Sequence, residues 1–210
     1  MADSSQEPQS SQSGPLLIVG LGNPGDQYAE TRHNAGFWFL DALVGNAGVG
    51  LRLQQKLHAE TAKVNVHGRN CILARPTTFM NHSGRAVQAV SAYYRVSASD
   101  ILVAYDELDL PPGTARFKFS GGHGGHNGIR DTVQSLGTAD FHRLRIGIGH
   151  PGFKDAVTPW VLSRPGRDQE QLIRSAIDKA LDALPDFVDG RVNDAMKRLH
   201  TDDKGTAEAD

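Results

Sequence analysis

The chain has 210 residues, 39% of them apolar and 22% charged, with a formal net charge of -2. That length supports one well-formed core and excludes two comfortable domains, and the small net charge excludes a general attraction for polyanions, so any phosphate contact must come from a local basic patch. A lone cysteine, Cys71 in "NCILARP", excludes a disulfide framework and reads as a buried, inert thiol; no apolar run reaches the roughly 18 residues of a membrane span, and the N-terminus has no signal-peptide pattern. The expectation is a soluble, cytoplasmic protein.

Residues 1–14 are rich in Ser and Gln and residues 201–210 are small and acidic, so both ends are expected to be disordered around a domain spanning 15–200. "PLLIVG" reads as a buried strand because its apolar run stops at glycine, and "HNAGFWFLDALVGNAG" as the following helix. "HAETAKVNV" and "NCILARP", separated by "HGRN", read as a hairpin. "SGRAVQAVSAYYRV" has helical spacing, with Ser83 as its expected N-cap. "DILVAYDEL" is a further buried strand, "ARFKF" an exposed one, "NGIRDTVQSL" a helix and "HRLRIGIG" another strand. Near the end, Leu172, Ile173, Ala176, Ile177, Ala180, Leu181 and Leu184 form one helical stripe, with Asp168 and Gln171 as an expected capping box. Strands alternating with helices predict a single-domain α/β fold: a twisted, mixed, largely parallel sheet flanked by helices.

Ligands in such folds gather beyond the carboxyl ends of the strands. The segments following four of the strands, "LGNPGDQYAETRHN", "TTFMNHSG", "DELDLPPG" and "SGGHGGHNG", are polar, rich in Gly or Pro, and carry Asn, His or Asp. Brought to one edge, they would line a crevice with Asn23, Tyr28, His33, Asn81, Asp106, His126 and Asn127. Gly20, Gly22 and Gly25 spell G-x-G-x-x-G, but Pro24 removes a donor from the turn that would cradle pyrophosphate, and Asp41 falls inside a helix, so a dinucleotide reading is set aside. His123 and His126 form H-x-x-H among glycines, without the rigid element or third ligand that a zinc site needs. G-x-S-x-G and G-x-x-x-x-G-K-[ST] are both absent.

A histidine with a carboxylate is the stronger constellation. Asp106 directly follows "ILVAY", where a charge is costly unless paired, and a carboxylate there can fix the tautomer of His33 and raise its basicity. The alternative is that Asp106 caps the turn "DELDLPPG", a role Asp109 could also fill. Asn23, Asn81 and Asn127 fall in candidate site loops, where uncharged amides can read a peptide bond or a base edge and polarise an ester carbonyl. Arg116 and Lys118 share one sheet face, as do Arg143 and Arg145, giving either a four-cation phosphate patch or ordinary solvated charges. The glycine-rich stretch itself is expected to be a mobile gate, with a phosphate cradle as the alternative.

"VGLGNPGDQYAETRHNAG", "RPTTFMNHSG", "DELDLPPG", "GGHGGHNG" and "FHRLRIGIGHP" closely resemble the segments of the bacterial-type peptidyl-tRNA hydrolase family, and the likeness covers roughly residues 15–200. The resemblance implies a monomeric esterase that cuts the bond between a peptide and the 3′ CCA end of tRNA, engaging the acceptor stem and needing no metal or cofactor. By resemblance, His33 is the catalytic base and Asp106 the carboxylate that supports it. Asn23 distinguishes blocked from free aminoacyl ends. Tyr28, Phe79, Asn81 and Asn127 contact the tRNA terminus, with His126 helping Asn127, and Lys118 and Arg145 hold the 5′-phosphate. The expected mechanism has water, held by His33 and Asn23, attacking the ester while a donor near Asn81 or Asn127 steadies the oxyanion. The polar leader, His82 and His123 depart from the family pattern. A non-catalytic RNA-binding adaptor on the same fold is the rival expectation.

Overall fold

The structure, a computed structural model, describes residues 14–201, with side chains described as far as Leu199. Apart from Gly14 and Thr201, the expected leader and tail lie outside the described residues.

β1 (Leu16–Gly20) is followed by α1 (Ala35–Ala47), β2 (Arg52–Gln54), β3 (Ala59–Val66), β4 (Arg69–Pro76) and α2 (Ser83–Tyr94). β5 (Ile101–Glu107), β6 (Ala115–Phe119), α3 (Asn127–Leu136), β7 (His142–Gly147), α4 (Val157–Val161), α5 (Arg167–Val188) and α6 (Val192–Thr201) complete the chain. The described strands form one sheet in the order β2-β3-β4-β1-β5-β7-β6. It is mixed: β4, β1, β5 and β7 run parallel at the centre, while β2, β3 and β6 are antiparallel to their neighbours.

Strand periodicity divides the core into two layers. Leu16 and Ile18 face α1, α5 and α6, whereas Leu17 and Val19 face α2 and α3, so the fully buried β1 separates two apolar clusters. Crowding at the top of β1 fixes where α1 begins. A Cβ at Gly20 would lie 2.3 Å from the Gly36 carbonyl oxygen, and one at Gly36 would lie 2.3 Å from the Ala104 carbonyl oxygen. The helix therefore rests directly on the carboxyl ends of β1 and β5. A Cβ at Gly22 would strike the Phe37 ring at 2.6 Å, and Gly25 has φ +102. The three glycines of G-x-G-x-x-G are thus accounted for by helix packing and a turn.

Two expected caps are not used. Ser83 Oγ donates to the Met80 carbonyl at 2.9 Å, and the residue before α2 is His82. α5 starts two residues earlier than expected, after Gly166, with no side-chain cap, which leaves Asp168 inside the first turn. β2, α4 and α6 were not anticipated.

β6 also corrects the strand-end argument. Because it is antiparallel to β7, its carboxyl end lies at the level of His142, at the opposite edge of the sheet from Asp106. The segment 120–126 has to run back along the sheet face to reach the crevice. Arg143 makes that return possible: its guanidinium, 1% exposed, donates to the Gly121 and Gly122 carbonyls at 2.6 Å each. Arg143 is therefore a buried strut, not a member of a phosphate patch.

Candidate active site

The short 3-10 turn Arg32–Asn34 sits just before α1, and its three side chains point in three directions. His33 reaches β5, where Nδ1 lies 2.9 and 3.0 Å from the two Asp106 carboxylate oxygens. Asn34 Oδ1 accepts the Asn23 backbone N–H at 2.8 Å while its Nδ2 donates to the Asn23 carbonyl at 3.0 Å. Arg32 turns the other way. It lies 3.7 Å over the Trp160 ring and donates to the carbonyls of Trp160, Ser163 and Arg164.

Asp106, only 2% exposed, meets a second imidazole: His126 Nε2 lies 2.9 Å from Oδ1. His126 precedes α3, and its Nδ1 accepts the Ile129 N–H at 3.2 Å. That contact assigns the tautomer. Nδ1 is an acceptor, so Nε2 carries the proton and donates to Asp106. An ionised carboxylate can only accept, so His33 Nδ1 is also a donor, which leaves the His33 Nε2 lone pair to face the crevice. Burial alone would lower the His33 pKa, but the charge and hydrogen bond of Asp106 override it and raise the pKa above the ordinary histidine value. Burial likewise opposes ionised Asp106, yet the two rings hold its carboxyl well below the usual range.

His33, Asp106 and His126 offer donor atoms within 4.8 Å of one another, close enough for a metal centre. Both nitrogens, however, are aimed at the same carboxylate oxygen with protons between them, and His126 Nδ1 is committed to α3. The arrangement is a hydrogen-bonded triad in which two donors flank one acceptor. His123 takes no part: its Nδ1 accepts the Gly125 N–H within its own loop. Nor does the His82 ring, whose Nε2 lies 3.5 Å from Asn81 Nδ2.

The crevice above the triad has a volume of about 340 Å³. Asn23, His33, Phe79, Asn81, Asp106, His126 and Asn127 all line it, so seven of the ten expected site residues converge. Asn23 is 7% exposed, and its Oδ1 is taken by the Met80 N–H at 2.8 Å, so the amide presents its Nδ2 donor. Asn127 is similarly committed, with Oδ1 accepting from Arg130 at 3.1 Å.

Tyr28, Lys118 and Arg145 are not on the crevice wall. Tyr28 sits edge-on to Phe79 with ring centroids 6.2 Å apart. Lys118 and Arg145 line a neighbouring cavity of about 230 Å³ that shares Glu107 and Gly124 with the crevice. Arg145 is already paired there, its Nε 2.8 Å from Glu107 Oε2, while Lys118 is exposed. The glycine-rich segment is anchored at one end by Ser120 and Arg143 and at the other by His126. Cys71 is fully buried, and burial pushes its thiol up to about 11, so it supplies no nucleophile.

Other contributors were not read from the sequence. Asn34 and Met80 position Asn23, and Leu108, Val157, Val161 and Leu162 form an apolar wall. The "RHN" triplet was the available signal for Asn34. No local pattern marked the wall, which is contributed largely by a five-residue helix.

Fold and site together define an α/β protein whose sheet edge carries a carboxylate-held histidine opening onto a polar crevice. The family model for peptidyl-tRNA hydrolase matches residues 17–207. The chain is 57% identical over 188 residues to a peptidyl-tRNA hydrolase of Xanthomonas campestris pv. campestris, covering 90% of this chain and 97% of that one. It is 56% identical to that of Stenotrophomonas maltophilia, covering 90% and 98%. The crystal structure of peptidyl-tRNA hydrolase from Acinetobacter baumannii superposes with a TM-score of 0.85 at 46% identity, covering 88% and 94%. The chain belongs to the peptidyl-tRNA hydrolase family.

Proposed function

We propose that this protein is an esterase that hydrolyses the bond between a peptide, or an N-blocked aminoacyl group, and the 3′ end of tRNA, recycling tRNA from stalled translation. One observation carries the chemistry: His33 donates through Nδ1 to buried Asp106 and keeps Nε2 free toward the crevice. Water between His33 Nε2 and the Asn23 Nδ2 donor loses its proton to the imidazole as it attacks the ester carbonyl. The amides of Asn81 and Asn127, on the same wall, donate to the developing oxyanion, and as the tetrahedral intermediate collapses the ribose oxygen leaves with the proton returned by His33. His126 holds the second face of Asp106 and ties it to α3.

The test is release of the acyl group from an N-acetyl-aminoacyl-tRNA. Turnover supports the esterase, whereas tight tRNA binding without release would favour the adaptor. The reading carries with it a cytoplasmic monomer acting on the CCA end and acceptor stem. No helix among the described residues is long and apolar enough to cross a membrane.

Two expected outcomes follow from the electrostatics. Because neutral His33 is the working form and its pKa is raised, kcat should climb with pH and level off above the ordinary histidine pKa. Asp106→Asn removes the raising charge and can present an amide donor to Nδ1, so the acid limb should move to lower pH while the plateau falls by about 10³ to 10⁴-fold. A pH–rate profile of both proteins checks this; an unmoved limb would count against His33. Separately, Lys118→Ala with Arg145→Ala should weaken tRNA binding and flatten its dependence on salt, by about one counterion for each phosphate no longer neutralised. Filter binding across a salt series measures it, and parallel slopes would remove these cations from the interface.

A further inference from the structure

A third cavity, of about 350 Å³, shares Asn23 with the crevice, whereas the 230 Å³ one shares Glu107 and Gly124 with it; both adjoin the crevice and have no lining residue in common. The two differ in charge. In the smaller, exposed Lys118 stands beside the Arg145–Glu107 pair and Asp109, with the buried Arg143 strut behind them. In the larger, Asp26, Asp41 and Glu60 face a single cation, Arg75, which bridges Asp41 at 3.1 Å and Glu60 at 2.9 Å. The walls of this acidic cavity include Pro24, Phe37 and Trp38.

A substrate made of a nucleotide joined to a peptide cannot place both halves in a crevice of about 340 Å³, a size near the lower end of the range for one drug-sized ligand. With the scissile ester between His33 and Asn23, the halves must leave in different directions. A polynucleotide is repelled by the acidic cavity, so the phosphates belong on the side of Lys118 and the peptide on the other. Asn23 supplies an independent pointer. It is 7% exposed, its Oδ1 is occupied, and Nδ2 has no acceptor among the described residues, although the residue borders both spaces. An amide nitrogen carries two N–H groups: one can hold the water, and the other is available to a peptide carbonyl passing into the acidic cavity.

We propose that this cavity is the subsite for the peptide half of the substrate and favours a cationic side chain on the residue next to the esterified one. This deepens the esterase reading above and rests on it. The aliphatic stem of a lysine or arginine packs on Phe37 and Trp38, and its head reaches the Asp26, Asp41 and Glu60 carboxylates.

The experiment compares three substrates on one tRNA, N-acetyl-Lys-Ala, N-acetyl-Ala-Ala and N-acetyl-Glu-Ala esters. The expected order of kcat/KM is Lys above Ala above Glu, with a Lys-to-Glu ratio of roughly tenfold at low salt, carried in KM. Asp41→Asn with Glu60→Gln leaves Arg75 without its carboxylates and should erase or invert that order. Asp26→Asn, at an exposed position, should shrink the ratio without touching the fold. Equal rates on all three peptides in the parent, or an unchanged order in both variants, would overturn the subsite while leaving the esterase intact. Failure of the parent to hydrolyse any of the three would instead sink the esterase reading, and the subsite with it.

Discussion

Replacing His33 by alanine is expected to lower kcat by about 10³-fold or more, the contribution of a positioned general base, while tRNA affinity stays within about twofold. The reasoning is geometric. Among the side chains on the crevice wall, His33 alone combines a ring nitrogen committed to a buried carboxylate with another left as an acceptor; His126 has both nitrogens engaged, and Asn23 presents a donor. No neighbour can take over as base. Removing the ring also deprives Asp106 of one of its two partners, so alanine confounds catalysis with the cost of a less satisfied buried charge. His33→Asn separates the two, because its amide can still donate to Asp106 but has no basic nitrogen. Both variants should show the same loss in single-turnover hydrolysis, and the asparagine variant should keep the parental melting temperature more closely. Turnover within tenfold of the parent in either would remove His33 from the role.

Much of this site was legible because its determinants are local. A buried strand ending in a carboxylate, "ILVAYD", and a turn "TRHN" entering a helix each state their chemistry within a few residues, and the strand-end rule brought the loops after β1, β4 and β5 together. The same rule reached His126 and Asn127 for the wrong reason. Strand direction is set by pairing with distant residues, so "ARFKF" gave no sign that β6 runs antiparallel and that its loop must double back. Arg143 shows the same limit. Period two placed it on one face with Arg145, and the β6–β7 register brings Arg116 and Lys118 beside them, Lys118 pairing with Arg143 and Arg116 with Arg145. It could not report that the returning loop covers that position and converts a surface cation into a buried strut. The caps at Ser83 and Asp168 failed because competing acceptors and a glycine two residues upstream set the helix starts.

Arg32→Met is expected to cost about 3–4 kcal/mol, large for a point substitution and traceable to the simultaneous removal of several hydrogen bonds of a charged group. Arg32 is 4% exposed and has no carboxylate partner among the described residues; its guanidinium instead serves the Trp160, Ser163 and Arg164 carbonyls, Ser163 Oγ at 2.7 Å and Gln169 Oε1 at 2.8 Å, stacked on Trp160. Methionine fills much of the volume but donates nothing, leaving the Arg164 carbonyl, Gln169 Oε1 and Ser163 Oγ without that donor, while the Trp160 and Ser163 carbonyls keep the bonds they accept from Ser163 and from the residue-32 backbone N–H. For a chain of this size that corresponds to a fall in melting temperature of roughly 6–16 °C. The functional consequence follows from what the turn carries. Val157, Val161 and Leu162 form the apolar wall of the crevice, and Arg32, next to His33, fastens that wall to the turn before α1. Loosening it should raise KM by several-fold, while the acid limb of the pH–rate profile stays in place because the contact between His33 and Asp106 is untouched. Lysine, with one ammonium in place of a planar fork, should rescue little of either effect. A melting temperature within 2 °C of the parent, measured by calorimetry, would mean that the wall is held by α5 packing and not by this side chain.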